Sequence, residues 1–156
     1  MERLNIKKAS FSDVAEVVDC VNAAYKKYID RIGKKPGPML DDYALLIDEG
    51  NVFCGEYSGQ IAGILVLKEF DDYILFDNVA VHPKFQGRGF GKQLISFAEN
   101  YASAKNYREI RLYTNIKMTE NIELYKRLGY IESDRRYDEG YQRVFFKKYI
   151  RHCLYP

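Results

Sequence analysis

Three glycines, Gly87, Gly89 and Gly91, fall within the stretch FQGRGFGKQL, between a strand-like pattern and a helical one. The residues before the stretch follow a period of two, and the apolar residues after it recur at helical spacing. Glycine is unfavourable in regular structure unless the backbone bends sharply or approaches another group closely. The stretch therefore predicts a tight turn from a strand into a helix, and a fold that combines both.

Two motifs in which a glycine-rich turn binds a nucleotide do not fit this stretch. The P-loop pattern G-x-x-x-x-G-K-[ST] requires a glycine where Gln86 stands and a hydroxyl side chain where Gln93 stands. The dinucleotide pattern G-x-G-x-x-G requires a third glycine where Lys92 stands, and no suitably placed acidic residue marks a ribose site. The turn therefore needs another explanation.

A turn of this kind exposes consecutive backbone N–H groups at the start of a helix, where the helix itself offers them no acceptor. Together with the helix dipole, such donors bind phosphate oxygens. Arg88 and Lys92 would add positive charge around the turn, and Lys84 lies close in sequence. A tight packing turn with solvated basic residues explains the same pattern, and the turn alone does not distinguish the two.

The length and composition predict one soluble globular domain over residues 1–156. The formal net charge of +2 does not favour nucleic acid as a partner. No apolar run is long enough to cross a membrane, and the N-terminus lacks the apolar core of a signal peptide. The chain has three cysteines, an odd number, at Cys20, Cys54 and Cys153, which favours reduced thiols and a cytoplasmic location. Their spacing is not that of metal ligands, so we expect no metal site.

The strand and helix patterns predict an α+β domain with the element order βααβββαβαββ. The sheet is expected to be mixed and mostly antiparallel, because short turns at Ser58-Gly59 and Asp71-Asp72 join consecutive strands. Pro83 should end the strand before the glycine turn, since it cannot donate a hydrogen bond to a neighbouring strand. The predicted strands are 4–9, 52–57, 60–70, 73–81, 109–114, 130–137 and 141–149, and the predicted helices are 14–28 (ending near Gly33), 40–47, 90–101 and 119–128.

Residues 86–91 match the pattern [RQ]-x-x-G-x-[GA] at every specified position. An apolar VAVHP strand precedes this pattern, and an LYKRLGY motif follows further along the chain. With the element order, these features resemble the GNAT superfamily of N-acetyltransferases over essentially the whole chain, especially small bacterial members. The resemblance implies a three-layer fold with helices flanking the sheet, and acetyl-CoA as cosubstrate. It also implies a homodimer in many relatives, for which the tyrosine-rich C-terminal hairpin is a candidate surface.

The resemblance further implies which residues hold acetyl-CoA. The cosubstrate would lie in a gap between two separating strands, one directly before residues 86–91 and one after the helix that follows them. Backbone groups of Val79, Ala80 and Val81 would bond to the pantetheine arm as another strand would. Asn115 is a candidate contact to the same arm, although asparagine also commonly ends strands. The pyrophosphate would be held by the turn, which consists of Gln86, Gly87, Arg88, Gly89, Phe90, Gly91 and Lys92.

Tyr125 stands where the family usually has a tyrosine near the thioester sulfur. A phenol at that place can donate a proton or a hydrogen bond to the sulfur as negative charge develops on it. Tyr125 also shares an apolar helical face with Leu124 and Leu128, so a role in the core is the alternative. The family's N-x-x-A pattern before this tyrosine is missing, because Met118 and Asn121 occupy those places.

The acceptor amine must lose a proton, because a lysine-like ammonium has a pKa of about 10.4. Asp77 is the first candidate for the base, since it lies on the strand that enters the turn and shares the parity of Val79 and Val81. A carboxylate on a strand also commonly faces solvent, which is the alternative. Glu69 and Asp72, near the preceding hairpin turn, are the second candidates.

The two N-terminal helices and the RIGKKPGPM loop lie in the most variable region of the family, which usually walls the acceptor site. The candidate lining residues are Tyr25, Tyr28, Arg31, Met39 and Tyr43. Tyrosines supply flat apolar walls with a polar edge. The helical spacing of Tyr25 and Tyr28 equally suits a stripe of core residues.

The predicted function is direct transfer of an acetyl group from acetyl-CoA to a primary amine, without a metal or a covalent enzyme intermediate. The alternative is a non-catalytic acyl-CoA-binding or sensor module that retains the turn and lacks the chemistry. Tyr125 favours the enzyme but does not decide between the two.

Overall fold

The computed structural model describes residues 2–150 of the chain. Within these residues the chain forms seven strands and five α-helices, which confirms the expected α+β class. The strands are β1 (Asn5–Lys8), β2 (Val52–Tyr57), β3 (Gln60–Glu69), β4 (Ile74–Val81), β5 (Glu109–Asn115), β6 (Ile131–Asp138) and β7 (Tyr141–Tyr149). The helices are α1 (Val14–Tyr25), α2 (Tyr28–Ile32), α3 (Tyr43–Asp48), α4 (Phe90–Ala104) and α5 (Thr119–Arg127).

These strands form one mixed sheet in the order β1-β2-β3-β4-β5-β7-β6. Antiparallel pairs join β1 to β2, β2 to β3, β5 to β7 and β6 to β7. β4 and β5 pair in parallel, with residues 74–76 opposite residues 110–112. A parallel pair requires a crossover connection, and α4 lies in that connection. The expected mixed, mostly antiparallel sheet is therefore confirmed.

The described residues group into two compact units. The first comprises the chain up to Leu67 together with Asp77–Ala98, and the second comprises Lys68–Phe76 together with the residues from Glu99 onward. The glycine turn belongs to the first unit, and Tyr125 belongs to the second. The expectation of a single domain over residues 1–156 stays a prediction.

The first predicted helix is divided into α1 and α2 by a turn at Lys26 and Lys27. Its apolar face continues beyond the turn, because Tyr28 is buried and its ring centroid lies 6.2 Å from that of Tyr25. The periodic pattern therefore predicted the buried face correctly without predicting the break. The buried residues of α1 are Val17, Cys20, Val21, Ala24 and Tyr25.

Aromatic rings form the centre of the second unit. The Tyr125 ring on α5 packs against Phe76, Tyr130 and Phe146, at centroid distances of 6.3, 5.7 and 6.0 Å. All four side chains are at most 4% exposed, and such ring pairs add about 0.5–1.5 kcal/mol each beyond the burial of their area. The Tyr130 hydroxyl donates to Glu99 at 2.9 Å. Burial raises the pKa of Tyr130, so this hydroxyl stays a donor.

Candidate functional site

The glycine turn follows β4 through a short 3-10 segment, Pro83–Phe85, and leads into α4. Gly87 and Gly89 both have a φ of +80°, in the left-handed region that other residues rarely adopt. A Cβ atom built on either glycine would have no protein atom within 4 Å. The turn therefore faces open space, and its residues leave room for a group that approaches the backbone.

The first helical hydrogen bond of α4 runs from the Gln93 N–H to the Gly89 carbonyl oxygen, at 3.2 Å. The N–H groups of Phe90, Gly91 and Lys92 therefore precede the hydrogen bonds of the helix. The helix is 15 residues long, and its dipole places partial positive charge at the same end. Donors and dipole together suit an anion, at the place where the sequence predicts the pyrophosphate.

Two buried phenylalanines anchor the turn in the first unit. Phe85 and Phe90 are 5% and 1% exposed and form an apolar cluster with Ala62. Tyr57 packs against both rings, at centroid distances of 6.0 and 5.2 Å. These contacts hold the backbone on either side of the exposed glycines, so the N–H groups are positioned before a ligand arrives.

The Arg88 guanidinium lies against the same aromatic cluster. Its Cζ is 5.7 Å from the ring centroid of Tyr57 and 5.5 Å from that of Phe85. Its Nη1 is 3.4 Å from Oε1 of Glu2, which also accepts the Tyr57 hydroxyl at 2.8 Å. Arg88 is thus paired with a carboxylate, and an anion at the turn would compete with Glu2 for this cation.

Two carbonyl groups on one edge of β4 accept hydrogen bonds from side chains. The His82 N–H donates to a β3 carbonyl at 2.8 Å, so the backbone groups of odd-numbered β4 residues face the opposite edge. On that edge the Tyr25 hydroxyl donates to the Val79 carbonyl oxygen at 2.9 Å. The Gln86 Nε2 donates to the Val81 carbonyl oxygen at 3.0 Å. The predicted backbone contacts of Val79 and Val81 thus lie on an edge that two side chains brace.

Alternate residues of β4 are buried, which places Asp77 on the half-buried side with Val79 and Val81. Its neighbour Asn78 lies on the other side and is only 3% exposed. The sequence patterns did not identify Asn78 as a site residue. The sequence feature that could have identified Asn78 is a polar side chain at a position where the alternation of the strand predicts a buried apolar residue. A buried amide there requires hydrogen-bond partners.

Asn78 is the centre of a buried chain of hydrogen bonds. Its Oδ1 accepts from the Tyr25 hydroxyl, and its Nδ2 donates to the Tyr43 hydroxyl oxygen at 3.0 Å. Tyr43 in turn donates to the Pro38 carbonyl oxygen at 2.6 Å. Burial raises the pKa of Tyr43, so its phenol keeps the proton that this bond requires.

The candidate lining residues of the acceptor site divide into two groups. Tyr25, Tyr28 and Tyr43 are 8%, 6% and 3% exposed, so they belong to the core of the first unit. Arg31 is exposed, with its guanidinium carbon 4.8 Å from the ring centroid of Tyr28, and Met39 is half-buried. Of these five residues, Arg31 and Met39 therefore present the more accessible surface.

Asn115 and Asn121 in the second unit each make a local hydrogen bond. The Oδ1 of Asn115, the last residue of β5, accepts the Lys117 N–H at 2.9 Å, as in an asparagine that ends a strand. The Nδ2 of Asn121 lies 3.6 Å from the sulfur of Met118, which is buried. Asn115 thus makes a local bond typical of an asparagine that ends a strand, and its predicted contact with the pantetheine arm stays a prediction.

The second candidates for the base differ in their surroundings. The Glu69 carboxylate accepts the hydroxyls of Tyr101 and Tyr107, each at 3.1 Å, and lies 3.6 Å from the Lys105 ammonium. Asp72 is exposed in the turn before β4. Glu69 is therefore part of a local polar cluster. Asp77, the first candidate, lies on the strand that enters the glycine turn.

Cys20 and Cys54 are buried free thiols, and burial raises the pKa of each to about 12. Cys153 lies outside the described residues. Within residues 2–150, no group of three or more His, Cys, Asp or Glu side chains is arranged to hold a metal ion. No helix in the same part of the chain combines the length and the apolar character needed to cross a membrane.

Residues 17–130 match the model of the Acetyltransferase (GNAT) family. Because this match covers more than half of the 156 residues, the chain belongs to the GNAT acetyltransferase family. It is accordingly an acyltransferase, as the sequence resemblance implied. No curated protein matches the sequence.

Solved acetyltransferase structures share the fold. PaiA N-acetyltransferase from Thermoplasma acidophilum, in complex with coenzyme A, has a TM-score of 0.77 and 16% identity, covering 94% of this chain and 98% of its own. A GNAT acetyltransferase from Elizabethkingia anophelis with acetyl-CoA bound has a TM-score of 0.69 and 20% identity, covering 96% and 99%. One from Bacillus cereus has a TM-score of 0.68 and 24% identity, covering 96% and 99%. The expected GNAT fold is therefore confirmed.

Proposed function

We propose that the protein transfers an acetyl group from acetyl-CoA directly to a primary amine. The observation that carries this proposal is the turn at Gly87 and Gly89, which faces open space and leads into the first N–H groups of α4. Backbone donors at a helix start bind phosphate oxygens, and coenzyme A carries a pyrophosphate. Two of the similar structures hold coenzyme A or acetyl-CoA, which supports the same ligand here.

The proposed contacts to acetyl-CoA come from backbone groups of β4 and the glycine turn and from the Asn115 side chain. Backbone N–H groups of residues 88–92 hold the pyrophosphate. Backbone groups of Val79 and Val81 bind the pantetheine arm, whereas the predicted contact of Ala80 is dropped, because its backbone groups have the parity of His82 and face β3. Gln86 has a bracing role instead, because its backbone N–H donates to the Pro83 carbonyl oxygen at 3.3 Å and its side-chain amide donates to the carbonyl that ends β4. Asn115 would contact the arm through Nδ2, since its Oδ1 accepts from Lys117.

When bound, acetyl-CoA supplies the acetyl group as a thioester, whose C–S bond breaks as the amine nitrogen forms the new C–N bond. In this proposal the Tyr125 phenol donates a proton to the leaving sulfur. Asp77 accepts the proton that the attacking amine gives up, directly or through a water molecule. An ammonium acceptor loses two protons as it becomes an amide: one passes through Asp77 to solvent, and the other restores the proton that Tyr125 gives to the sulfur. The proposed reaction uses neither a metal nor a covalent enzyme intermediate.

Replacing Asp77 by asparagine is expected to lower kcat/KM at pH 7 by about a hundredfold, and the loss should shrink as the pH rises toward and above the pKa of the amine. At pH 7 a lysine-like amine is almost entirely protonated, so a base must take up its proton. Above its pKa of about 10.4 the amine is already neutral and the base is dispensable. The measurement is a pH–rate profile of wild type and variant with an amine that the enzyme accepts.

Asp72→Asn is the matched control for this experiment, because it removes an exposed carboxylate from the turn before the same strand. It should leave the profile unchanged. A ratio of wild-type to Asp77→Asn rates that stays constant across pH would exclude Asp77 as the base.

Calorimetric titration of the full chain with acetyl-CoA and with CoA tests the proposed function. We expect binding heat with both, and release of CoA thiol from acetyl-CoA when a suitable amine is added from a panel of peptides, polyamines, amino acids and aminoglycosides. Folded protein that gives no binding heat would refute the proposal. Binding without turnover across the panel would instead support a non-catalytic acyl-CoA-binding or sensor module.

We also propose a cytoplasmic location and a homodimer. The buried free thiols of Cys20 and Cys54 suit a reducing compartment, which cell fractionation would test. In the C-terminal hairpin, Ile131, Tyr137 and Tyr149 are 56%, 65% and 61% exposed, and we propose that these separate apolar side chains contact a second copy. Sedimentation equilibrium should give a dimer mass that Tyr137→Ser reduces, and a wild-type monomer at all concentrations would rule out the dimer.

A further inference from the structure

Asn78 is an unexpected residue for a buried position of β4. It shares its side of the strand with Ile74, Phe76 and Ala80, all of which are buried. A buried amide is unfavourable unless its polar atoms are hydrogen-bonded, and an apolar side chain would fill the same position without that requirement. Both polar atoms of Asn78 are hydrogen-bonded, to hydroxyl groups that are themselves buried. The position is therefore built around a polar network.

The donor and acceptor roles in this network are fixed. Tyr43 donates its proton to the Pro38 carbonyl oxygen at 2.6 Å, so it accepts in its bond with Asn78. Asn78 must therefore present Nδ2 to Tyr43 and Oδ1 to Tyr25, and Tyr25 must donate. One arrangement satisfies all three side chains, so the loss of any hydroxyl leaves a buried partner unsatisfied.

The network ends on the main chain of the proposed acetyl-CoA site. The Tyr25 hydroxyl lies 2.9 Å from the Val79 carbonyl oxygen as well as within reach of Asn78 Oδ1, so its one hydrogen is shared between them. The Val79 carbonyl lies on the edge of β4 that faces away from β3. At its other end the network reaches the Pro38 carbonyl, in the 3-10 segment that precedes α3.

We propose that Tyr25, Asn78 and Tyr43 are positioning residues for acetyl-CoA binding. The three side chains tie the Val79 peptide to the segment at Pro38 and so fix the backbone groups along the binding edge of β4. The inference rests on the proposed function, because it requires acetyl-CoA at this edge. It also accounts for an amide at a position that packing alone would fill with an apolar side chain.

Tyr25→Phe tests the proposal, since it removes one hydroxyl and keeps the ring that packs against Tyr28. We expect the dissociation constant of acetyl-CoA, measured by calorimetry on folded protein, to rise about fivefold, as the loss of one net hydrogen bond predicts. Tyr130→Phe is the matched control, because it removes the hydroxyl of another buried tyrosine, which binds Glu99 in the second unit. It should lower stability and leave the dissociation constant within about twofold of wild type.

Tyr43→Phe provides a second test that leaves the bond from Tyr25 to Val79 in place. We expect it to raise the dissociation constant about threefold through Asn78. The double variant Tyr25→Phe/Tyr43→Phe should show less than the product of the two single effects, because the hydroxyls act through one network. A merely structural role would change the melting temperature of each variant without this coupling in ligand affinity.

The outcomes separate this inference from the proposed function. If wild type does not bind acetyl-CoA, the proposed function fails and this inference fails with it. If wild type binds and Tyr25→Phe binds equally well, only the positioning role is overturned. If Tyr25→Phe does not fold, Tyr43→Phe decides, and a dissociation constant equal to that of wild type overturns the role.

Discussion

Replacing Gly89 by alanine is expected to weaken acetyl-CoA binding by about a hundredfold, which corresponds to about two charge-assisted hydrogen bonds at about 1.5 kcal/mol each. The new Cβ would project into the open space before the turn, where we propose that the pyrophosphate approaches the N–H groups. The protein should remain folded, because that Cβ meets no protein atom within 4 Å. Calorimetric titration with acetyl-CoA measures the loss.

The backbone strain of this substitution needs its own control, which Gly59→Ala provides. Gly59 has a φ of +75°, close to the +80° of Gly89, and its built Cβ likewise has no atom within 4 Å. Both variants should lose about 1–2 kcal/mol of folding stability from the left-handed conformation. Only Gly89→Ala should lose the ligand, so equal affinity in the two variants would argue against a phosphate site at the turn.

Tyr125→Phe is expected to lower kcat by about a hundredfold or more, the range for losing a general acid. The aromatic contacts of Tyr125 with Phe76, Tyr130 and Phe146 are kept by a phenylalanine ring, so the fold and acetyl-CoA affinity should change little. Thiol release from acetyl-CoA, measured with the best amine of the panel, gives kcat. Calorimetry on the same variant gives the affinity.

Tyr130→Phe again serves as the comparison, because Tyr130 is as buried as Tyr125 and its hydroxyl binds a carboxylate. This variant should lose stability while retaining kcat. A Tyr125→Phe enzyme with the wild-type kcat would show that Tyr125 serves only the core, which is the alternative that its helical position suggests. The two tyrosines thus separate the effect of a lost buried hydroxyl from that of a lost acid.

The strands were largely predictable because turn residues mark their ends. The turn between β2 and β3 has Ser58 and Gly59 at positive φ, and both strands end within one residue of their predicted bounds. The break between α1 and α2 was not predictable. Lys26 and Lys27 are good helix formers, and neither glycine nor proline marks the turn between these helices, so the sequence carries no local signal for it.

The glycine turn was predictable as a candidate site, because positive φ and close approach both favour glycine. The directions of the side chains around it were not. Arg88 binds Glu2, which lies 86 residues earlier in the chain, and no local pattern reports such a contact. The role of Asn78 was not predictable for a related reason. Its hydrogen-bond partners lie on α1 and α3, and only folding brings them next to β4.

The outermost strand of the sheet, β6, limits how copies of this protein can associate. Seven of its eight residues are exposed, and the ladder to β7 shifts register between Glu132 and Asp134. Ion pairs join Arg135 to Glu132 and Arg136 to Asp134 along the same strand. Charges and a bulge discourage a foreign strand from extending the sheet. Fibril growth from this border is therefore disfavoured even in concentrated samples, and any contact between copies there has to use side chains.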